Sequence, residues 1–268
     1  MVRGLDHIAH AVHHLDAAAE LYARLGFTVG ARNKHPWGTH NRIVQLPGFF
    51  IELLTLAEPN KLGSDGFSKL FGAYTGEFLT RGEGLALLLL ESRDARADEV
   101  AFRAAGIAAS AGMKFEREAK RPDGSPVKVG FSLAFAEDRL TRDIHFATCQ
   151  QHFPENFWNP AFQQHANGVT GIAGVVLVTD EPTRHREFQL AFSGADRARD
   201  SGDGFIIDLP RGVIDVMTPA AFVRRFGLPA PGTTRGARLA ALRFTVSDKA
   251  VAGIHAAMGA VLVFEPGA

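Results

Sequence analysis

The chain has 268 residues, 46% of them hydrophobic and 22% charged, a globular mixture long enough to bury a core without staples. Lysine plus arginine equals aspartate plus glutamate at 29 each, so the net charge is zero and no nucleic-acid or membrane partner is expected, since either selects a basic excess. The single cysteine, Cys149, excludes an internal disulfide and a cysteine zinc cluster. With one thiol, no signal-like start and no apolar run beyond strand length, a cytoplasmic location is expected.

Residues 5–12 (LDHIAHAV) are a short apolar run rich in strand formers. Residues 15–25 have helical spacing, with Ala18, Leu21, Tyr22 and Leu25 on one face, Asp16 placed as an N-cap and Gly26 as the terminator. Strands are predicted at 27–31, 41–46 and 49–56, the last two joined by a Pro47-Gly48 turn. The order strand, helix, three strands then recurs. A strand at 85–91 leads to a helix at 95–105 ended by Gly106, then to strands at 109–118, 128–136 and 143–150. Pro122-Asp123-Gly124 and Glu137-Asp138 supply the turns. A third copy has a strand at 169–178, a helix at 182–192, and strands at 204–209 and 213–218 around Pro210-Arg211-Gly212. A fourth has a strand at 239–246, a helix at 249–258 and a strand at 260–264, and lacks its last two strands.

The connectors differ in character: 58–83 is glycine-rich with scattered aromatics, 153–168 is rich in aromatics, asparagine and proline, and 220–236 holds two prolines and three glycines. A boundary near Ala166 divides the chain into 1–165, with two complete modules (1–58 and 84–152), and 166–268, a shorter pair (169–219 and an incomplete 237–268). The expected fold class is α+β, repeated βαβββ modules with mixed sheets closed into a cup. One module covers one sheet face with its helix and leaves the other bare; pairing two modules buries the bare faces and makes a hollow suited to a small molecule. The incomplete fourth module suggests an open sheet edge that a second copy would cover in a homodimer.

Several motifs cluster in the first module. LDHIAHAV followed by HHLDAAAELYARLGF resembles the first strand and helix of the vicinal oxygen chelate superfamily, in its glyoxalase-like branch (glyoxalase, bleomycin resistance and dioxygenase type). His35-Pro36-Trp37-Gly38-Thr39-His40-Asn41 resembles that branch's HPxGTxN stretch, and Phe50-Ile51-Glu52-Leu53 its fourth-strand motif. The resemblance is specific over 4–56, architectural over 84–152 and carried by element order over 169–268. It implies a divalent metal ion (Fe, Mn, Zn or Ni) held in the cup by a His from the first strand and a Glu from the fourth, one pair from each of two modules. His7 and Glu52 fill the first module's two positions. Strand alternation agrees: His7, Ala9 and Ala11 share one face, Ile8, His10 and Val12 the other, and the apolar pair suits the helix side. Glu52, a lone charge in an apolar strand, needs a cation or a hydrogen-bond donor.

The later modules break the pattern. Leu87 falls where His7 sits, and Phe146 or Ala147 near Glu52; in the third module the counterparts are Gly171 and Asp215. Further ligands would come from His145, Gln150, Gln151 or His152, or from His35 or His40, and two histidines with one carboxylate suit Fe(II), Mn(II) or Zn(II). The expected reaction class is metal-dependent lyase, isomerase or dioxygenase chemistry on a small oxygenated organic substrate. Glu52 and His40 are the catalytic candidates; His35, Trp37, Thr39, Asn41, Gln150, Phe157 and Trp158 are the substrate-binding ones. The rival reading is a metal-free protein that sequesters a small molecule, with His7 and Glu52 as pocket residues or a buried ion pair.

Overall fold

A computed structural model describes residues 1–120, 124–247 and 252–267. Pro122 and Asp123 of the expected hairpin turn, and the start of the expected helix at 249–258, lie outside them. Fifteen strands form one continuous sheet. The first module contributes β1 (Leu5–Ala11), α1 (Leu15–Arg24), β2 (Asn33–Lys34), β3 (Thr39–Leu46) and β4 (Phe49–Leu56). After a π-helical turn (Ser68–Ala73) and α2 (Tyr74–Leu79) come β5 (Gly84–Glu91), α3 (Ala95–Ala104), β6 (Met113–Lys120), β7 (Pro126–Ala136) and β8 (His145–Gln151). The short α4 (Pro154–Phe157) leads to β9 (Val169–Val178), α5 (Arg186–Ser193), β10 (Arg199–Asp200), β11 (Gly204–Asp208) and β12 (Val213–Met217). Then α6 (Pro219–Phe226) precedes β13 (Arg238–Val246), β14 (Gly253–Ala257) and β15 (Ala260–Pro266).

The two halves are built alike. In the first, β1 pairs parallel with β4 and antiparallel with β5, and β5 pairs parallel with β8. In the second, β9 pairs parallel with β12 and antiparallel with β13, and β13 pairs parallel with β15. A single pair, Leu239 with Leu85, joins β13 to β5. On the helix side one apolar core runs through both halves, from Ile8, Leu53 and Tyr22 to Phe192, Leu177 and Phe244. Two further cores lie on the inner side of the sheet, one in each half.

Several expectations change. Residues 27–32 are not a strand; only Asn33–Lys34 pairs with β3, and β3 begins at Thr39. The N-cap of α1 is His14, and Asp16 instead binds Arg32 and Arg42. Residues 253–257 form a strand where a helix was expected. The cause is the two-residue turn Met258-Gly259, both at positive φ (44° and 77°), which folds β14 onto β15 with Ala257 opposite Ala260. The connectors hold helices that glycine and proline disguise. In α6, Thr218 caps the start and Gly227 ends it in the left-handed region.

Candidate functional site

β1 and β4 build the site. Their parallel register sets His7 beside Phe50 and Ala9 beside Glu52. His7, Ala9, Phe50 and Glu52 therefore share a face, and that face is the inner one, because Ile8, Ile51 and Leu53 pack on the helix side. His7 and Glu52 both line a cavity of about 410 Å³ between the first two modules. The antiparallel pair β6–β7 contributes Phe115, Val129 and Phe131 to its wall, and Phe115 meets Trp37 edge-on with ring centres 5.2 Å apart.

Each polar group on this face is held by another. His7 Nδ1 lies 2.5 Å from Asp6 Oδ1, and Gln151 Nε2 donates to the other Asp6 oxygen at 3.1 Å. The carboxylate only accepts, so Nδ1 carries a proton, and Nε2 makes no hydrogen bond among the described residues. The His7 ring stacks on Phe50 at 4.1 Å, which fixes its plane. Glu52 Oε1 accepts from Asn41 Nδ2 at 2.5 Å, and Asn41 Oδ1 accepts from Asn33 at 3.0 Å. His35 Nδ1 is 2.8 Å from Thr39 Oγ1, while its Nε2 lies 3.4 Å from Asn41 Nδ2. Burial lowers the His35 pKa, Glu52 opposes that shift, and the charges of Arg117 and His40 add to it. The ring is therefore neutral at neutral pH, the form that ligates metals.

The remaining sequence candidates divide. Trp37, Thr39, Asn41 and Phe157 line the cavity with His35. His40, offered as catalytic, points away: β3 turns Thr39 and Asn41 inward and His40 outward, where it meets Glu58 at 2.8 Å and Arg32. Gln150, offered as substrate-binding, is spent on the start of α3, through Ala95 N and Arg93 O. Trp158 stands behind the wall, edge-on to Phe50 and Phe157. His145 stacks on Tyr74 and bonds Leu70 O, and His152 bonds Ser132, so neither faces the cavity. Sequence reasoning missed Asp6 as the orienting group of His7, and Arg117 and Phe115 as cavity residues. Their signal was weak: Asp6 adjoins the candidate His, and the mixed-charge stretch 114–128 around its Pro-Asp-Gly turn reads in sequence as a solvated hairpin.

Strand register decides what the other modules offer. The residue equivalent to Glu52 sits opposite the one two places after the His7 position. In the second module Leu87 pairs with His145 and Leu89 with Ala147, so the counterparts of His7 and Glu52 are Leu87 and Ala147. In the third module Asp215 pairs with Val176, which makes Gly174, not Gly171, the His7 counterpart. A Cβ at Gly174 would stand 2.6 Å from the Val213 side chain. Asp215 is itself engaged by Arg225 at 2.6 Å.

The four-donor centre is thus half present. Among the described residues one trio of possible ligands, Asp6, His7 and Cys149, has donor atoms within 4.8 Å of one another. In it Asp6 already holds the His7 proton, and burial together with Asp6 raises the Cys149 pKa, keeping the thiol protonated. His7, His35 and Glu52 also line one cavity, although among the described residues their donor atoms do not all come within 4.8 Å of one another. Both rings have Nδ1 engaged by an oxygen, the arrangement that orients metal-binding histidines, and all three side chains line one cavity.

Comparison with known proteins agrees with this architecture. No curated protein matches the chain in sequence. A hypothetical protein from Staphylococcus aureus has a similar fold over 99% of this chain and 100% of its own, with a TM-score of 0.75 at 14% identity. A Mn(II)-bound glyoxalase from Novosphingobium aromaticivorans is similar over 98% of this chain and 81% of its own, with a TM-score of 0.52 at 11% identity. A mutant 4-hydroxymandelate synthase from Streptomyces coelicolor is similar over 92% and 72%, with a TM-score of 0.53 at 13% identity. The family model for the glyoxalase-like domain matches residues 5–191, most of the chain, and the chain belongs to that family, within the vicinal oxygen chelate superfamily.

Proposed function

We propose that the first cup is the active site of a divalent-metal-dependent enzyme acting on a small oxygenated organic substrate. The observation that carries the reading is two histidines and one carboxylate lining a single cavity, each held by a neighbouring polar group. His7 Nε2, His35 Nε2 and Glu52 would hold the ion. When bound, such an ion supplies Lewis-acid stabilisation to negative charge on substrate oxygens.

The chain's own groups do the rest. Asp6 accepts the Nδ1 proton of His7 and keeps the lone pair of Nε2 turned toward the cavity. Asn41 holds Glu52 by one oxygen and leaves the other for the ion, so Glu52 would move a substrate proton only by giving up that contact. The aromatic residues of the wall give the substrate apolar surface to pack against. Lyase, isomerase and dioxygenase chemistry all need these elements, and the fold does not choose among them.

The test is thermal shift and calorimetry with Mn(II), Fe(II), Ni(II) and Zn(II) on the full chain. Stabilisation by at least one ion is expected, and Glu52→Gln and His35→Ala should each abolish it. Equal ion binding in the wild type and in Glu52→Gln rejects the reading. One observation favours the rival, a metal-free binding protein: the second module offers Leu87 and Ala147 where ligands were expected. That rival gains if organic ligands stabilise the chain and none of the four ions does.

A further inference from the structure

Charge along the cavity wall is sparse. Glu52 is its one carboxylate among the described residues, and Arg117 its one lysine or arginine. Arg117 belongs to β6, two residues from Phe115, so both side chains face the cup. Most arginines of this chain have an acidic partner; Arg117 has none among the described residues, and its only hydrogen bond is a long one of 3.4 Å to Glu118 O. Its near neighbours do not compete, since Glu116 is taken by Lys114 at 2.9 Å. Arg117 is exposed and lines the cavity, and a guanidinium without an acidic partner has five donors and no acceptor capacity, so the group that matches its fork is a carboxylate.

Besides its polar groups the cavity is lined by two clusters of aromatic rings. Trp37, Phe67 and Phe115 form one aromatic wall, with Trp37 stacked on Phe67 at 4.8 Å and Phe115 edge-on to both. Phe50, Phe131 and Phe157 form the other, with Phe157 reaching Phe50 at 4.9 Å and Phe131 at 5.7 Å. Both clusters line the same cavity and offer ring faces and edges against which a planar apolar body can pack.

We infer that the substrate is a monocarboxylic acid with a planar apolar body, its carboxylate held by Arg117 and its body packed against the aromatic rings. Arg117 is then a specificity-determining residue. The inference rests on the cup being the substrate site, as proposed above, but not on the metal.

Calorimetry on the full chain with phenylacetate and with phenylacetamide, matched in shape and differing in charge, tests it. Wild-type protein should bind the acid at least about tenfold tighter than the amide, the scale of one charge-assisted hydrogen bond. Arg117→Gln should bring the two within about twofold by weakening only the acid, and Arg117→Lys should restore part of the preference, since a point charge replaces a fork. Equal affinity for acid and amide in the wild type, absence of binding by both, or a preference that survives Arg117→Gln would overturn the proposal. None of these measurements needs a metal or turnover. Failure of the divalent-ion reading appears separately, as Mn(II) binding unaffected by Glu52→Gln.

Discussion

The two halves of this chain share one strand plan, eight strands in the first and seven in the second, and use the inner face in opposite ways. In the first half that face carries His7 and Glu52 and is left hollow. In the second half the equivalent positions are Gly174 and Asp215, and α6 lies in the hollow. Phe222 and Phe226 of α6 pack against Val176, Val178, Val261 and Val263, and Arg225 of the same helix closes on Asp215. The difference teaches that the module supplies a cup, while the connector after its fourth strand decides whether the cup is a site or a core. In the first half that connector, with Phe71, Tyr74 and Phe78, covers one end only, over Ala9, Ala11 and Leu87.

The largest effects should separate the halves by function. Glu52→Gln and Asp215→Asn alter corresponding carboxylates by one atom each. The first should reduce divalent-ion affinity by at least roughly a hundredfold, as losing a charged ligand does, and the second should leave it within about twofold. Ion titrations of both variants by calorimetry check this; an equal loss in both would erase the contrast.

Stability should separate them next. Phe222 is fully buried, so Phe222→Ala should cost about 3–5 kcal/mol in urea unfolding. Its contacts belong to the second half's inner core, so ligand and ion binding in the first cup should survive at low urea. Loss of both together would mean that the halves do not hold their inner faces independently.

A smaller effect tests how His7 is held. Asp6→Asn keeps the shape and loses the charge that fixes the Nδ1 proton. Ion affinity should fall about 10- to 100-fold, the usual cost of losing an outer partner of a ligating His. An unchanged affinity in calorimetry would show that Asp6 is only a structural acceptor.

Much of this contrast was legible in the sequence. The strands at 49–56 and 169–178 stand where alternation and turn signals put them, because both ends carry punctuation: Pro47-Gly48 for the first, a proline- and asparagine-rich connector for the second. His7 and Glu52 reach one cavity because period-two alternation fixes faces without further information. Other parts depend on what comes from far along the chain. His40 looked equivalent to its neighbours Thr39 and Asn41 until β3 was seen to start at Thr39, which turns it outward. Gln150 was lost to the start of α3, fifty-five residues earlier in the chain. The helix α6 was hidden because its apolar face, Ala221, Phe222 and Phe226, is short and stands among prolines and glycines, so local periodicity had little length to show itself.

Acid should weaken the first half by a modest and calculable amount. Burial pushes the His145 pKa down to about 4, and burial also lowers those of His10, His35 and His165. All four lie in the first two modules or in the connector that follows them. A His with a lowered folded pKa resists a proton that the unfolded chain accepts near pH 6.5. Its contribution is complete above about pH 6.5 and shrinks as the pH falls toward the folded value, by no more than about 1.4 kcal/mol per unit. For His145, partly solvated beside Tyr74, about 1–2 kcal/mol should be lost between pH 6.5 and 4. His145→Phe keeps the ring against Tyr74 and removes the titration, so its stability should fall less steeply than the wild type's over that window and run parallel to it above pH 7. Urea unfolding at half-unit pH steps measures the difference, and hydrogen exchange at pH 5 locates it. Amides of β5 and β8 should lose protection before those of β9 and β13; the reverse order would place the acid-sensitive groups in the half where the second cup is filled.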